Sequence, residues 1–207
     1  MFLKWPKIKI KTFDNNIVEA IAPLIVSASR ATDIPAFHAK WFLNRLSAGY
    51  AVWINPFNRK PQYISFKETS LIVFWSKYPK PLLPFLDEIS AKGIGFYFQL
   101  TLNDYEREGL EPHVPSIKER LNIFIELSKK IGREKVIWRF DPIIILPNMT
   151  PRDILYKIWR LGSKLICYTN KLVISFIDIS RYKKVQNNLR YFLKFNSLKT
   201  KDNSFPR

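Results

Sequence analysis

The chain has 207 residues, 47% hydrophobic and 15% aromatic, and 34 Lys and Arg against 17 Asp and Glu give it a formal charge of +17. That length suits one domain with a substantial core, and that apolar share excludes a disordered chain. No apolar run reaches the roughly 18 residues of a membrane span, and the N-terminus lacks the apolar stretch of a signal peptide. The one cysteine, Cys167, excludes an internal disulfide and points to a reducing, cytoplasmic setting.

Residues 7–13 alternate as Lys-Ile-Lys-Ile-Lys-Thr-Phe, the period of a half-exposed strand, and Asp14-Asn15-Asn16 supplies turn chemistry before Ile17–Ile21. A short N-terminal β-hairpin is therefore expected. Buried-strand candidates follow at Leu24–Ser27, Ala51–Ile54, Leu71–Trp75, Phe96–Leu102, Val136–Phe140 and Leu172–Ile177. They are β-branched and aromatic and mostly apolar on both faces, as parallel strands covered by helices are.

Helices are expected between most of these strands. Pro35–Ala48 begins after Asp33 as N-cap and stops at Gly49; Pro81–Ala91 stops at Gly93. Ser116–Ile131 opens with Ser116 and Glu119 as a capping box, and Thr150 with Asp153 opens another helix reaching about Cys167. Only residues 55–69 lack a helix; they read as a loop with a short strand at Gln62–Phe66. The fold class is α/β, a partial (β/α) barrel of about six parallel strands, with a doubly wound sheet as the alternative. Residues 1–22 form the basic segment and hairpin, 23–180 the barrel, and 181–207 a basic tail. A full barrel typically takes about 250 residues.

The charge is uneven. Residues 1–11 carry +4 and residues 181–207 carry +7, leaving +6 for the rest of the chain. Such a periphery suits nucleic acid or another polyanion as partner.

In parallel α/β folds, ligands sit where strands point their carboxyl ends. The polar residues at those positions are Ser29, Arg30 and Asp33 after the first strand and Asn55 after the second. Trp75 and Lys77 follow at the third, Gln99 and Thr101 at the fourth, Arg139 and Asp141 at the fifth, and Asp178 at the sixth. Asn103 and Ser175 stand at the fourth and sixth ends. Asp33 also reads as a helix cap, and Asp141 before Pro142 as a turn residue. Gln99 and Arg139 lie inside apolar runs, where burial needs a partner. Arg139 can clamp a carboxylate or phosphate, or pair with Asp33, Asp141 or Asp178. His38 and His113 show no zinc spacing, and no nucleophile elbow or phosphate-binding loop is visible.

Several stretches resemble one family. They are Ser27 to Phe37, Asn55-Pro56-Phe57-Asn58, Phe74-Trp75-Ser76-Lys77 and Phe98 to Leu102. Glu111 to Pro115, Trp138-Arg139-Phe140-Asp141-Pro142 and Ile174 to Asp178 complete the set. In this order, over roughly residues 18–180, they are similar to the domain of unknown function 1848. The resemblance implies a protein similar to radical S-adenosylmethionine enzymes, especially relatives of spore photoproduct lyase, with an iron–sulfur cluster on a C-terminal cysteine cluster. S-adenosylmethionine and that cluster are thus the implied cofactors. This sequence lacks the cysteine cluster, so the expectation is a truncated or cluster-free member that binds neither cofactor by itself. Two other functions compete with a radical enzyme: a non-catalytic nucleic-acid-binding module whose basic ends contact phosphates while Trp5, Trp53, Trp75 or Tyr182 stack on bases, and a metal-independent barrel enzyme with Asp33, Asp141 or Asp178 as general base.

Overall fold

The computed structural model describes residues 5–29, 32–145 and 149–177. Among these residues, nine strands form two sheets. Strands β1 (Lys7–Lys11), β2 (Ile17–Ile21), β4 (Tyr50–Ile54) and β5 (Pro61–Ser65) make one, in the order β1-β2-β5-β4. Strands β3 (Ile25–Ser27), β6 (Leu71–Ser76), β7 (Gly95–Thr101), β8 (Val136–Ile143) and β9 (Leu172–Phe176) make the other.

The second sheet is parallel throughout, and its strands lie side by side in chain order. A doubly wound sheet reverses its strand order at a switch point, and no reversal occurs among the described strands. Among the described residues the parallel sheet has five strands where six were expected. Tyr50–Ile54 belongs to the other sheet because the loop at residues 55–60 is too short for a parallel crossover, which takes a dozen or more residues. It closes an antiparallel pair with β5 instead, Trp53 opposite Gln62. The N-terminal hairpin forms as expected, Lys9 opposite Glu19, and it joins β5 through Ala20 and Ile21.

The helices keep most of their expected limits. Asp33 caps α1 (Ile34–Phe37) by accepting from the Ala36 N–H at 3.1 Å. The chain leaves helical geometry at His38 and resumes as α2 (Ala39–Ala48), which Gly49 ends with a left-handed φ of 79°. The stretch after β6 is 3₁₀ over Lys80–Phe85 and becomes α3 only at Leu86–Ala91. Pro81 and Pro84 supply no N–H to an α-helical ladder there. Ser116 caps α4 (Ile117–Ile131), while the Glu119 carboxylate accepts from the Tyr78 hydroxyl rather than closing a box. Thr150 and Asp153 close the full box on α5 (Pro151–Leu165).

One face of the parallel sheet carries the core. Ile72, Phe74, Phe96, Phe98, Val136, Trp138 and Phe140 are buried there, with Phe74 stacked on Phe98 at 4.9 Å between ring centres. Each such side chain contributes about 1.5–3 kcal/mol by leaving water. Helix α5 crosses close over β8; a Cβ at Gly162 would stand 3.5 Å from the Trp138 ring. The opposite face is only half-buried along Tyr97, Gln99 and Thr101, so the strands are not covered on both sides as expected. That open face holds the site.

Candidate functional site

Parallel strands bring their carboxyl ends to one edge, and alternation decides which residues share the open face there. Trp75 of β6 stands opposite Gln99 of β7, and Thr101 of β7 opposite Arg139 of β8. Two residues further on, Asp141 meets Ser175 of β9, whose hydroxyl donates to the Asp141 carboxylate.

Arg139 is the hub. Its Nε donates to Asp141 Oδ2 at 3.0 Å, its Nη2 to the same oxygen, and its Nη1 to Gln99 Oε1 at 2.7 Å. The guanidinium lies over the Trp75 ring, 4.4 Å from its centre. Burial of a lone arginine costs several kcal/mol; here carboxylate, amide and indole offset it. A guanidinium has five N–H donors, and the three bonds above leave two without a partner among the described residues. The side chain keeps 14% exposure, enough for those donors to meet a ligand.

Asn103, just beyond β7, fixes the strand ends to each other. Its amide donates to the Asp141 carbonyl at 3.1 Å, and its Oδ1 accepts from the Asp141 N–H at 2.9 Å. Tyr105 does the same one step further on: its hydroxyl donates to the Pro142 carbonyl at 2.9 Å and accepts from the Ile144 N–H at 3.1 Å. Burial pushes that phenol up to about 12, so it holds its proton across the ordinary pH range.

A second ionic group adjoins the first through Asn103. Arg120 of α4 donates to the Asn103 carbonyl at 3.1 Å and pairs with Glu111 at 3.4 Å, and Glu111 also pairs with Lys77 at the end of β6. Arg120 and Glu111 are buried, at 1% and 7% side-chain exposure, whereas Lys77 keeps 41%. The three side chains together hold one net positive charge.

Asp33 ties the first strand's loop to this edge. Its second oxygen accepts from the Ser76 hydroxyl at 3.0 Å and the Lys77 N–H at 2.8 Å. Burial raises its pKa above the usual aspartate value, against the lowering pull of these hydrogen bonds. Ser29 accepts from the Trp75 N–H at 3.3 Å and donates to the Ala28 carbonyl at 2.6 Å, which positions Trp75.

Of the residues expected at strand ends, Ser29, Asp33, Trp75, Lys77, Gln99, Thr101, Arg139 and Asp141 do stand at this edge. Asn55 does not. It sits in the β4–β5 loop, where its Oδ1 accepts from the Phe57 N–H at 2.9 Å. Arg30 and Asp178 lie outside the described residues. Strand-end reading missed Glu111 and Arg120. Arg120 had a signal: it occupies the buried stripe of α4 with Phe124 and Leu127, a place where an arginine requires a partner.

The cluster implied by resemblance does not fit this chain's own residues. A cubane cluster takes about three or four thiolates, and the sequence offers Cys167 alone, exposed just after α5. Helix α5 ends where β9 begins, so Cys167 stands near the amino end of the parallel strands, away from Arg139. No group of three His, Cys, Asp or Glu side chains among the described residues can hold a metal ion. No helix among them is long and apolar enough to cross a membrane.

A family model described as a domain of unknown function (DUF1848) matches residues 25–205, beginning at β3 and reaching through the basic C-terminal segment. No curated protein matches the chain.

Proposed function

The chain belongs to the domain of unknown function 1848 family, and from that premise we propose that it binds a small ligand bearing a carboxylate or phosphate at the carboxyl ends of a partial (β/α) barrel. Strand order supports the barrel reading, because the five parallel strands run across the sheet in one direction with no switch point, as the strands of a barrel do. The observation that carries the ligand is Arg139. Asp141 and Gln99 hold its fork, Trp75 backs its plane, and two donors without a partner among the described residues are left for an anion. Lys77, partly exposed on the same edge, adds a second positive group.

The radical S-adenosylmethionine reading is carried only as far as this anion site. An amino acid carboxylate such as that of S-adenosylmethionine suits a guanidinium fork, but no radical step is assigned to a chain with one thiol. General-base catalysis by Asp33 or Asp141 has less support: Asp33 is occupied as a cap, and Asp141 accepts from Arg139 and Ser175.

Calorimetry with S-adenosylmethionine, adenosine monophosphate and inorganic phosphate tests the proposal. Binding by one of these should weaken at least about tenfold in Arg139→Lys, which keeps the charge and loses the planar fork. Absence of binding by all three, or undiminished binding in Arg139→Lys, overturns it.

A further inference from the structure

The β4–β5 hairpin is built for exposure. Val52, Trp53 and Ile54 are exposed at the end of β4, Trp53 at 43%, and Phe57 in the loop is 95% exposed. Large apolar side chains exposed together, rather than singly, mark a contact site, the more so where the backbone around them is held in place. The loop does so. Asn55 donates its N–H to the Lys60 carbonyl at 3.0 Å and accepts on its own carbonyl from the Arg59 N–H at 2.9 Å. Asn55 Oδ1 and Asn58 Oδ1 accept from the N–H groups of Phe57 and Lys60 at 2.9 and 3.0 Å. Phe57 is thus presented on an ordered turn flanked by the cations Arg59 and Lys60.

The same sheet carries a row of lysines. Lys7, Lys9 and Lys11 alternate outward along β1, about 7 Å apart at the spacing of every second strand residue. Lys7 pairs with Glu19 across the hairpin, while Lys9 and Lys11 have no ion-pair partner among the described residues. Lys7, Glu19 and Gln62 line one shallow cleft between β2 and β5, and Gln62 is the cross-strand neighbour of Trp53. The lysine-bearing side of β1–β2 is therefore continuous with the Trp53 side of β4–β5. Because β2 and β5 are parallel, the two hairpin tips share one end of the sheet, which sets Lys11 on the side of Phe57, Arg59 and Lys60. Asp14 at the first tip and Glu19 are the acids nearby.

Lysines on an edge strand by themselves only guard it against pairing with another chain. An exposed tryptophan, an exposed phenylalanine and two more cations on the same sheet do not serve that purpose. They are the two components that bind unpaired bases: rings for stacking and cations for the phosphates. We propose that this face of the β1-β2-β5-β4 sheet binds single-stranded nucleic acid, with Phe57 and Trp53 stacking on bases and Lys9, Lys11, Arg59 and Lys60 contacting the backbone. The proposal does not depend on the Arg139 site.

Fluorescence anisotropy with labelled 20-nucleotide oligo(dT) and oligo(U) across a salt series tests it. Phe57→Ala, which removes a side chain that packs on nothing and leaves folding intact, should weaken binding at least about fivefold, as should Trp53→Ala. The Lys9→Gln, Lys11→Gln double variant should flatten the log–log salt slope by about 1.4, two phosphates at about 0.7 each. Lys129→Gln with Lys164→Gln, on α4 and α5, removes equal charge elsewhere and should change neither quantity. Three results overturn the proposal: no binding at low salt, an undiminished Phe57→Ala, or equal losses in the α4 and α5 control. Competition by polyglutamate as strong as by oligonucleotide, or equal affinity for duplex, also overturns it, assigning the face to acidic protein or to general polyanion attraction.

Discussion

Glu111 and Lys77 form one ion pair, yet removing either partner should have very different consequences. Arg120 is 1% exposed and relies on Glu111 for its only charged partner among the described residues. Glu111→Gln keeps the shape and one acceptor but leaves the arginine buried without a countercharge. Loss of one partner of a buried pair costs about 3–5 kcal/mol. The surviving bond from Arg120 to the Asn103 carbonyl puts the expected loss near the low end, about 3 kcal/mol. Lys77 keeps 41% exposure, so water replaces its role, and Lys77→Met should cost at most about 1 kcal/mol. For a chain of this size each kcal/mol lowers the melting temperature by about 2–4 °C. Glu111→Gln should therefore melt about 6–12 °C lower, and Lys77→Met within about 4 °C of the parent. Circular dichroism melts, with urea midpoints read at constant slope, measure both. Equal losses in the two variants, or a smaller loss in Glu111→Gln, refute the argument that burial decides the value of this cluster.

Two further outcomes follow from the same edge. Tyr105→Phe strands the buried Ile144 N–H and frees the Pro142 carbonyl, so it should lose about 1–3 kcal/mol in the same urea assay; parent-like stability would place those groups in contact with water. Asp33 has a raised folded-state pKa, so its contribution is fully present below its unfolded value of 3.8 and is lost as pH rises through the folded value. The stability of the parent relative to Asp33→Asn should accordingly fall with rising pH above 3.8 and then level, and a difference that rises with pH contradicts the assignment.

Local features decided the helix ends and the hairpin. Ser116, Thr150 with Asp153, Gly49 and Asp14-Asn15-Asn16 act within a few residues of themselves, through caps and turns that tertiary contacts seldom override. Arg139 was legible for a related reason, since an arginine inside Trp138–Phe140 has to find a partner wherever the strand goes. Identical logic, applied to the stripe of α4, would have exposed Arg120.

The sequence by itself determined where most strands and helices fall, five of the six strands it assigned to a parallel sheet, and the edge at which polar residues gather. It did not determine which apolar run enters which sheet. Tyr50–Ile54 has the composition of a buried parallel strand, but composition is shared by any strand, and only the short return to β5 diverted it outward and carried Asn55 with it. Tertiary structure alone also chose between Asp33 and Asp141 as partner for Arg139. Both lie at strand ends, and only register, with the alternation that sets Asp141 two residues on along the same face, brings its carboxylate within a hydrogen bond of the guanidinium.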